Sequence, residues 1–123
     1  MGADDLDLAR HFLAELEKAA KTGERESLYP LLAADVEWIT PMRTLNGLDA
    51  VREQMIWGFP PENLELEFDA GETRDLGNGL TATDVHEVYR MKGTGDFAYA
   101  RDLRIELTIR DGKVVRYEMR IVG

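Results

Sequence analysis

The sequence predicts an α+β fold, with helices near its start packed on one face of an antiparallel sheet that follows them. Three observations carry this. Up to about Trp57 apolar residues recur mostly at helical spacing, broken by one short alternating run. From Leu64 onward the period changes to two and stays there. Two dipeptides, Asn78-Gly79 and Asp111-Gly112, sit between the alternating runs, and both supply the positive φ angles that tight hairpins need. Helices first and a meander afterwards place the helices on one side of the sheet.

The elements follow in order. Leu6, Ala9, Leu13, Leu16 and Ala20 fall at spacings of three and four, with Phe12 beside them and acidic residues in the first turn, where a helix dipole favours them. This first helix ends at Thr22-Gly23. A second, shorter helix is expected from about Glu24 to Ala33, with Pro30 in its first turns and Leu28, Leu31 and Leu32 buried. The run from Asp35 to Thr40 alternates and stops at Pro41, which reads as a strand. A third helix starts at Asn46 or Gly47 and runs to about Trp57, with Leu48, Val51 and Met55 on one stripe, and Gly58-Phe59-Pro60-Pro61 breaks it. Strands then cover 64–74, 80–91, 97–110 and 114–122. The length and the lack of any linker or repeat make residues 1–123 one domain.

The turn signals also propose registers. With Asn78-Gly79 as a two-residue loop, Gly77 faces Leu80, Glu72 faces Val85, Ala70 faces Glu87 and Phe68 faces Tyr89. A plain two-residue loop at Asp111-Gly112 would set Arg116, Glu118 and Arg120 on the face of Ile105 and Leu107, which could not then be a core. A three-residue loop with glycine at a bulge position brings Leu107 to Val115, Ile105 to Tyr117 and Leu103 to Met119. For the hairpin around Gly93-Thr94-Gly95, matching apolar faces sets Val85 opposite Ile105, Glu87 opposite Leu103 and Tyr89 opposite Arg101.

The inner face so defined carries four polar groups, Glu72, Glu87, Tyr89 and Arg101, among apolar ones. One reading is an ion pair whose charges neutralise each other. The other is a polar cluster in the wall of an apolar pocket, where a poorly solvated carboxylate serves as a general acid or base and a nearby arginine or phenol stabilises negative charge. Under the second reading Glu87, Arg101 and Tyr89 are the catalytic candidates. Glu87 leads because Ala70 and Leu103 flank it. His86 falls on the outer face and reads as a surface or interface residue. Arg104, Glu106, Arg116, Glu118 and Arg120 form an outer face of mixed charge, read as a cross-strand ladder.

Composition removes several function classes. A formal charge of −9 argues against nucleic acid or an anionic membrane as partner. Without cysteine there are no disulfides and no thiolate chemistry, and two histidines without metal-site spacing give no reason to expect a metal or cofactor. No apolar run approaches a membrane span and MGADDLDLAR does not read as a signal peptide, so a soluble cytoplasmic protein is expected.

The order of elements, the segment LLAADVEWITPMRTLNGLDAV and the ending IRDGKVVRYEMRIV resemble the nuclear transport factor two-like superfamily, in particular its SnoaL-like branch. The matching features are Asp35 and Trp38 in the first strand, Leu45-Asn46-Gly47 at a helix start, and Asp111-Gly112-Lys113 followed by Tyr117. The resemblance spans the whole chain, each motif being weak alone. It implies a cystatin-like cone, three helices wrapped by a curved, mostly antiparallel sheet, with an interior pocket for a small apolar ligand and a homodimer through the outer sheet face. Pocket residues would be Phe12, Trp38, Thr40, Met55, Phe68, Glu72, Leu103, Tyr117 and Met119. The superfamily's activities include isomerisation, cyclisation, dehydration and hydrolysis, as well as binding without chemistry, so the fold alone does not select among them. The ketosteroid isomerase base corresponds to Thr40 before Pro41, and its oxyanion tyrosine falls near Leu16. Of the limonene epoxide hydrolase groups, which correspond to Val85, Glu87, Met119, Trp38 and Thr40, only the acid at Glu87 is kept.

Overall fold

The computed structural model describes residues 2–54 and 63–123. Helix α1 (Gly2–Thr22) is followed by a 3-10 turn (Tyr29–Leu31), strands β1 (Leu32–Ile39) and β2 (Thr44–Asn46), and helix α2 (Leu48–Gln54). Strands β3 (Leu64–Ala70), β4 (Arg74–Gly77), β5 (Leu80–Met91), β6 (Phe97–Arg110) and β7 (Lys113–Ile121) complete it. All strands join one curved sheet in the order β2-β1-β7-β6-β5-β3, with β4 also on β5. Every pairing is antiparallel except β1 with β7.

The core lies between α1 and the concave face. Ala9, Phe12, Leu13 and Leu16 of α1 are buried with Val36 and Trp38 of β1, Leu103, Ile105 and Leu107 of β6, and Tyr117 and Met119 of β7. The predicted stripe on α1 is thus the buried one, extended by Ala19. At the other end of the sheet Leu64, Leu66 and Tyr89 form a smaller cluster with Ala20.

The described residues contain two α-helices, not three. The segment expected as a second helix forms only the 3-10 turn, because Pro30 has no N–H to donate and the chain is already extended at Leu32. Leu28 and Leu31 donate to carbonyls three residues back, Arg25 and Leu28, and the Glu24 carboxylate accepts from the Glu26 and Ser27 amides. Leu28 and Tyr29 still bury their side chains. The third expected helix is α2, shorter in its described part; its residues 55–57, Met55 among them, lie outside the described residues.

All three hairpins have registers that differ from those expected, and in each the slip is two residues. Asn78 and Gly79 take φ of 56° and 79°, and Gly77 faces Leu80 as predicted. An irregularity at Leu76 then shifts the pairing, so that Asp75 meets Thr81. A second, across Gly71, Glu72 and Thr73, leaves Ala70 opposite Val85 and Phe68 opposite Glu87. One bulge turns every following side chain to the other face and a second turns them back. At the second irregularity Thr73 points inward and shares a 2.8 Å hydrogen bond with Thr83, while Glu72 points to solvent. In the β5–β6 hairpin, Glu87 faces Arg101 and Tyr89 faces Tyr99, with an irregularity beyond Tyr89.

The last hairpin needs one extra residue, as burial demanded, but carries it elsewhere. Asp111 and Gly112 form a two-residue turn between Arg110 and Lys113, at φ of 51° and 73°. The shift comes after it, where Ile109 pairs with Val114 and Thr108 with Arg116. Leu107 therefore meets Tyr117 where Val115 was expected, and Ile105 meets Met119 where Tyr117 was; Tyr117 and Met119 face inward as predicted, with Val114 rather than Val115 buried beside them. On the outer face Arg104 pairs with Asp84, Arg120 with Glu106 and Arg116 with both Glu37 and Glu118. His86 lies there too, its Nδ1 2.7 Å from Asp102.

Candidate functional site

Strand alternation puts Glu87 and Tyr89 of β5 and Arg101 and Leu103 of β6 on the concave side, and the observed register sets Glu87 directly against Arg101. Arg101 Nε donates to Glu87 Oε1 at 2.7 Å. The Tyr89 hydroxyl lies 3.5 Å from the same oxygen, and the guanidinium stands 5.9 Å from the centre of the Tyr89 ring. Tyr89 in turn stacks on Tyr99 at 4.5 Å. The three predicted catalytic candidates therefore form one cluster.

Burial divides that cluster. Glu87 is only 4% exposed, whereas the Arg101 side chain keeps 32% of its surface. A carboxylate so removed from water needs a charged partner, and Arg101 supplies it. Burial disfavours the Arg101 charge, but the hydrogen bond and attraction of Glu87 outweigh this and hold its pKa above the ordinary arginine value. Burial, reinforced by the Glu87 charge, pushes the Tyr89 phenol up to about 12 and the Tyr117 phenol upward as well. Both phenols therefore stay protonated at neutral pH and can donate hydrogen bonds.

The aromatic residues expected in a pocket wall fill the space beside this cluster. Trp38 and Tyr117, neighbours across β1 and β7, stack at 3.9 Å. Phe12 reaches both, with ring centres 6.1 Å and 5.8 Å away. These three and Leu103 are fully buried core, while Phe68 is half-buried at its edge. Glu72 is exposed in the β3–β4 connection and Met55 is outside the described residues.

An open cavity of about 410 Å³ lies beyond the packed rings. The segment after β1 contributes Thr40, Pro41, Met42 and Arg43; α2 adds Gln54, β6 adds Arg101, and β7 adds Met119 and Ile121. Thr40, Arg101 and Met119 were named from the sequence. Pro41, Met42, Arg43, Gln54 and Ile121 were not, since they lie in a loop or at the ends of elements where periodicity says nothing. A cation and an exposed methionine together after a strand end were the available signal. The loop is shaped by its own bonds: the Thr40 N–H donates to the Arg43 carbonyl at 3.0 Å, the Arg43 N–H donates to Thr40 Oγ1 at 3.3 Å, and Arg43 Nη1 donates to Gln54 Oε1 at 3.4 Å. Among the described residues no group of three or more acidic or histidine side chains could hold a metal, and no helix is long and apolar enough to cross a membrane.

Solved structures of the same shape decide the fold. An NTF2-like protein from Anabaena variabilis superposes with a TM-score of 0.77 at 13% identity, over 100% of this chain and 93% of its own. The chain has the nuclear transport factor two-like fold. An NTF2-like protein from Burkholderia xenovorans matches with a TM-score of 0.72 at 20% identity, covering 99% and 92% of the two chains. TerC, co-crystallised with polyporic acid, matches with a TM-score of 0.70 at 20% identity over 97% and 92%. No protein-family model and no curated protein matches the sequence.

Proposed function

We propose that this chain is a small-molecule binding protein whose ligand enters the cavity at the open end of the cone and meets Arg101 there. One observation carries the reading: Glu87 spends its carboxylate on Arg101 Nε at 2.7 Å, and of the two only Arg101 lines the cavity. A buried carboxylate in that role orients the guanidinium. The volume is within the usual range for small-molecule sites, and Pro41, Met42, Met119 and Ile121 offer the apolar wall such sites have. The ligand-bound fold neighbour TerC supports the same use of the fold.

The test is a thermal-shift screen of small organic acids, amides, alcohols and amines, run in parallel on the wild type and on Met119→Trp, which would occupy the cavity. Ligand at 100 times its Kd would stabilise the wild type by about 2.7 kcal/mol and leave the blocked variant unmoved. A wild type that no compound stabilises, or hits that survive the block, would reject the site.

A second reading makes the protein an enzyme in which Glu87 transfers a proton during isomerisation, cyclisation, dehydration or hydrolysis, with Tyr89 or Arg101 stabilising negative charge. The long Tyr89 contact to Glu87 Oε1 and the near-complete burial of the carboxylate favour it. Turnover of a bound compound that disappears in Glu87→Gln while binding persists would establish this reading; turnover unchanged in that variant would exclude it.

A further inference from the structure

Resting on the reading of this cavity as a ligand site, we infer that it selects a small organic monoanion, a carboxylate or acidic enol carried on an apolar body. The inference comes from a contrast in charge. The chain as a whole has 24 acidic and 15 basic side chains, yet among the described residues two arginines and no carboxylate line the cavity. Arg101 is cancelled by the Glu87 behind it. The Arg43 guanidinium donates to the neutral Gln54 amide, which among the described residues leaves about one unit of positive charge at the cavity wall.

Two guanidiniums have a definite chemical preference. Each is a planar fork of N–H donors with no acceptor, suited to paired oxygens of a carboxylate or enolate. Nε of Arg101 is taken by Glu87 and the guanidinium also meets the Tyr89 hydroxyl, so the remaining donors of its terminal nitrogens are the ones a ligand would use. Arg43 adds a second fork, and its amide partner can turn to donate an N–H once the ligand displaces that contact. Charge-assisted bonds of this kind are roughly twice as strong as neutral ones. An ammonium ligand would meet like charge at the same place. The same cavity wall carries Met119, Ile121 and Met42, the last 86% exposed, apolar surface that a ligand body would remove from water.

The experiment compares three probes of one shape by calorimetric titration: naphthoate, naphthamide and naphthylmethylammonium, with inorganic phosphate as the anion lacking an apolar body. Naphthoate should bind at least tenfold tighter than the amide, and the ammonium weakest, since one charged hydrogen bond is worth about that factor. Arg43→Gln should cut the preference for naphthoate over naphthamide about tenfold while leaving naphthamide affinity unchanged. Because Arg101→Gln alone strands Glu87, the second variant is Glu87→Gln with Arg101→Gln, which removes both charges and should also lower the preference. Equal binding of amide and carboxylate would overturn the inference while keeping the cavity as a ligand site. Phosphate binding as tightly as naphthoate would overturn the apolar half of it. If none of the probes bound, the ligand site itself would fall, and the inference with it.

Discussion

Replacing Arg101 by methionine tests what the buried pair is for. The substitution keeps most of the apolar stem but leaves the Glu87 carboxylate, 4% exposed, without its 2.7 Å partner. Breaking a buried ion pair from one side costs about 3–5 kcal/mol. Arg101 is about one-third exposed, so water already screens part of the pair and the low end, about 3 kcal/mol, applies. In a domain of this size that lowers Tm by about 10 °C. Glu87→Gln should cost less, about 1 kcal/mol, because the guanidinium can turn toward the cavity and stay solvated. The double variant, with no buried charge left, should be more stable than Arg101→Met alone. Urea denaturation of all four proteins closes the cycle, with an expected coupling of about 2 kcal/mol. Additive effects, with coupling below about 0.5 kcal/mol, would refute the claim that Glu87 and Arg101 hold each other in place.

Three further outcomes follow from the same structure. Below pH 10 the Tyr89 phenol is neutral in folded and unfolded chains alike; between about 10 and about 12 the unfolded chain sheds its proton first, so stability falls as pH rises. Tyr89→Phe should remove on the order of 2 kcal/mol of that loss in denaturant titrations at pH 9 and pH 12, and identical slopes would contradict it. A methyl group at Gly79 would collide with the Ile109 carbonyl oxygen, whereas at Gly112 it meets open space. Both have positive φ, so Gly112→Ala should cost about 1 kcal/mol and Gly79→Ala clearly more, read as the difference in Tm. Trp38→Ala, emptying a fully buried site stacked on Tyr117, should cost about 4 kcal/mol by urea denaturation; a cost below about 2 would mean the ring is not core.

The division between what the sequence foretold and what it did not follows from how sheets are specified. Which face a side chain takes is set locally, by alternation against a buried surface. Glu87, Arg101, Tyr117 and Met119 could therefore all be placed inside from their neighbours alone. Which residue stands opposite is set by every bulge between it and the turn, and a bulge leaves almost no local mark. The slip at Leu76 and the one across Gly71–Thr73 each move the chain by one residue, and their sum restores the faces while changing every partner beyond them. At the second of them Glu72 and Thr73 change sides, Glu72 to solvent and Thr73 inward. The same blindness hid the pairing that matters most: an even slip in the β5–β6 hairpin left Glu87 and Arg101 on one face but turned diagonal neighbours into direct ones. That step brings a carboxylate and a guanidinium to 2.7 Å, so that the candidate acid and the cation form one direct ion pair. The cavity wall beyond it was harder still to read, since Arg43 belongs to a loop whose course depends on Thr40, Gln54 and the end of the sheet together. Chemistry placed by periodicity can be read from a chain; chemistry placed by the meeting of a loop, a helix end and a strand end requires the fold.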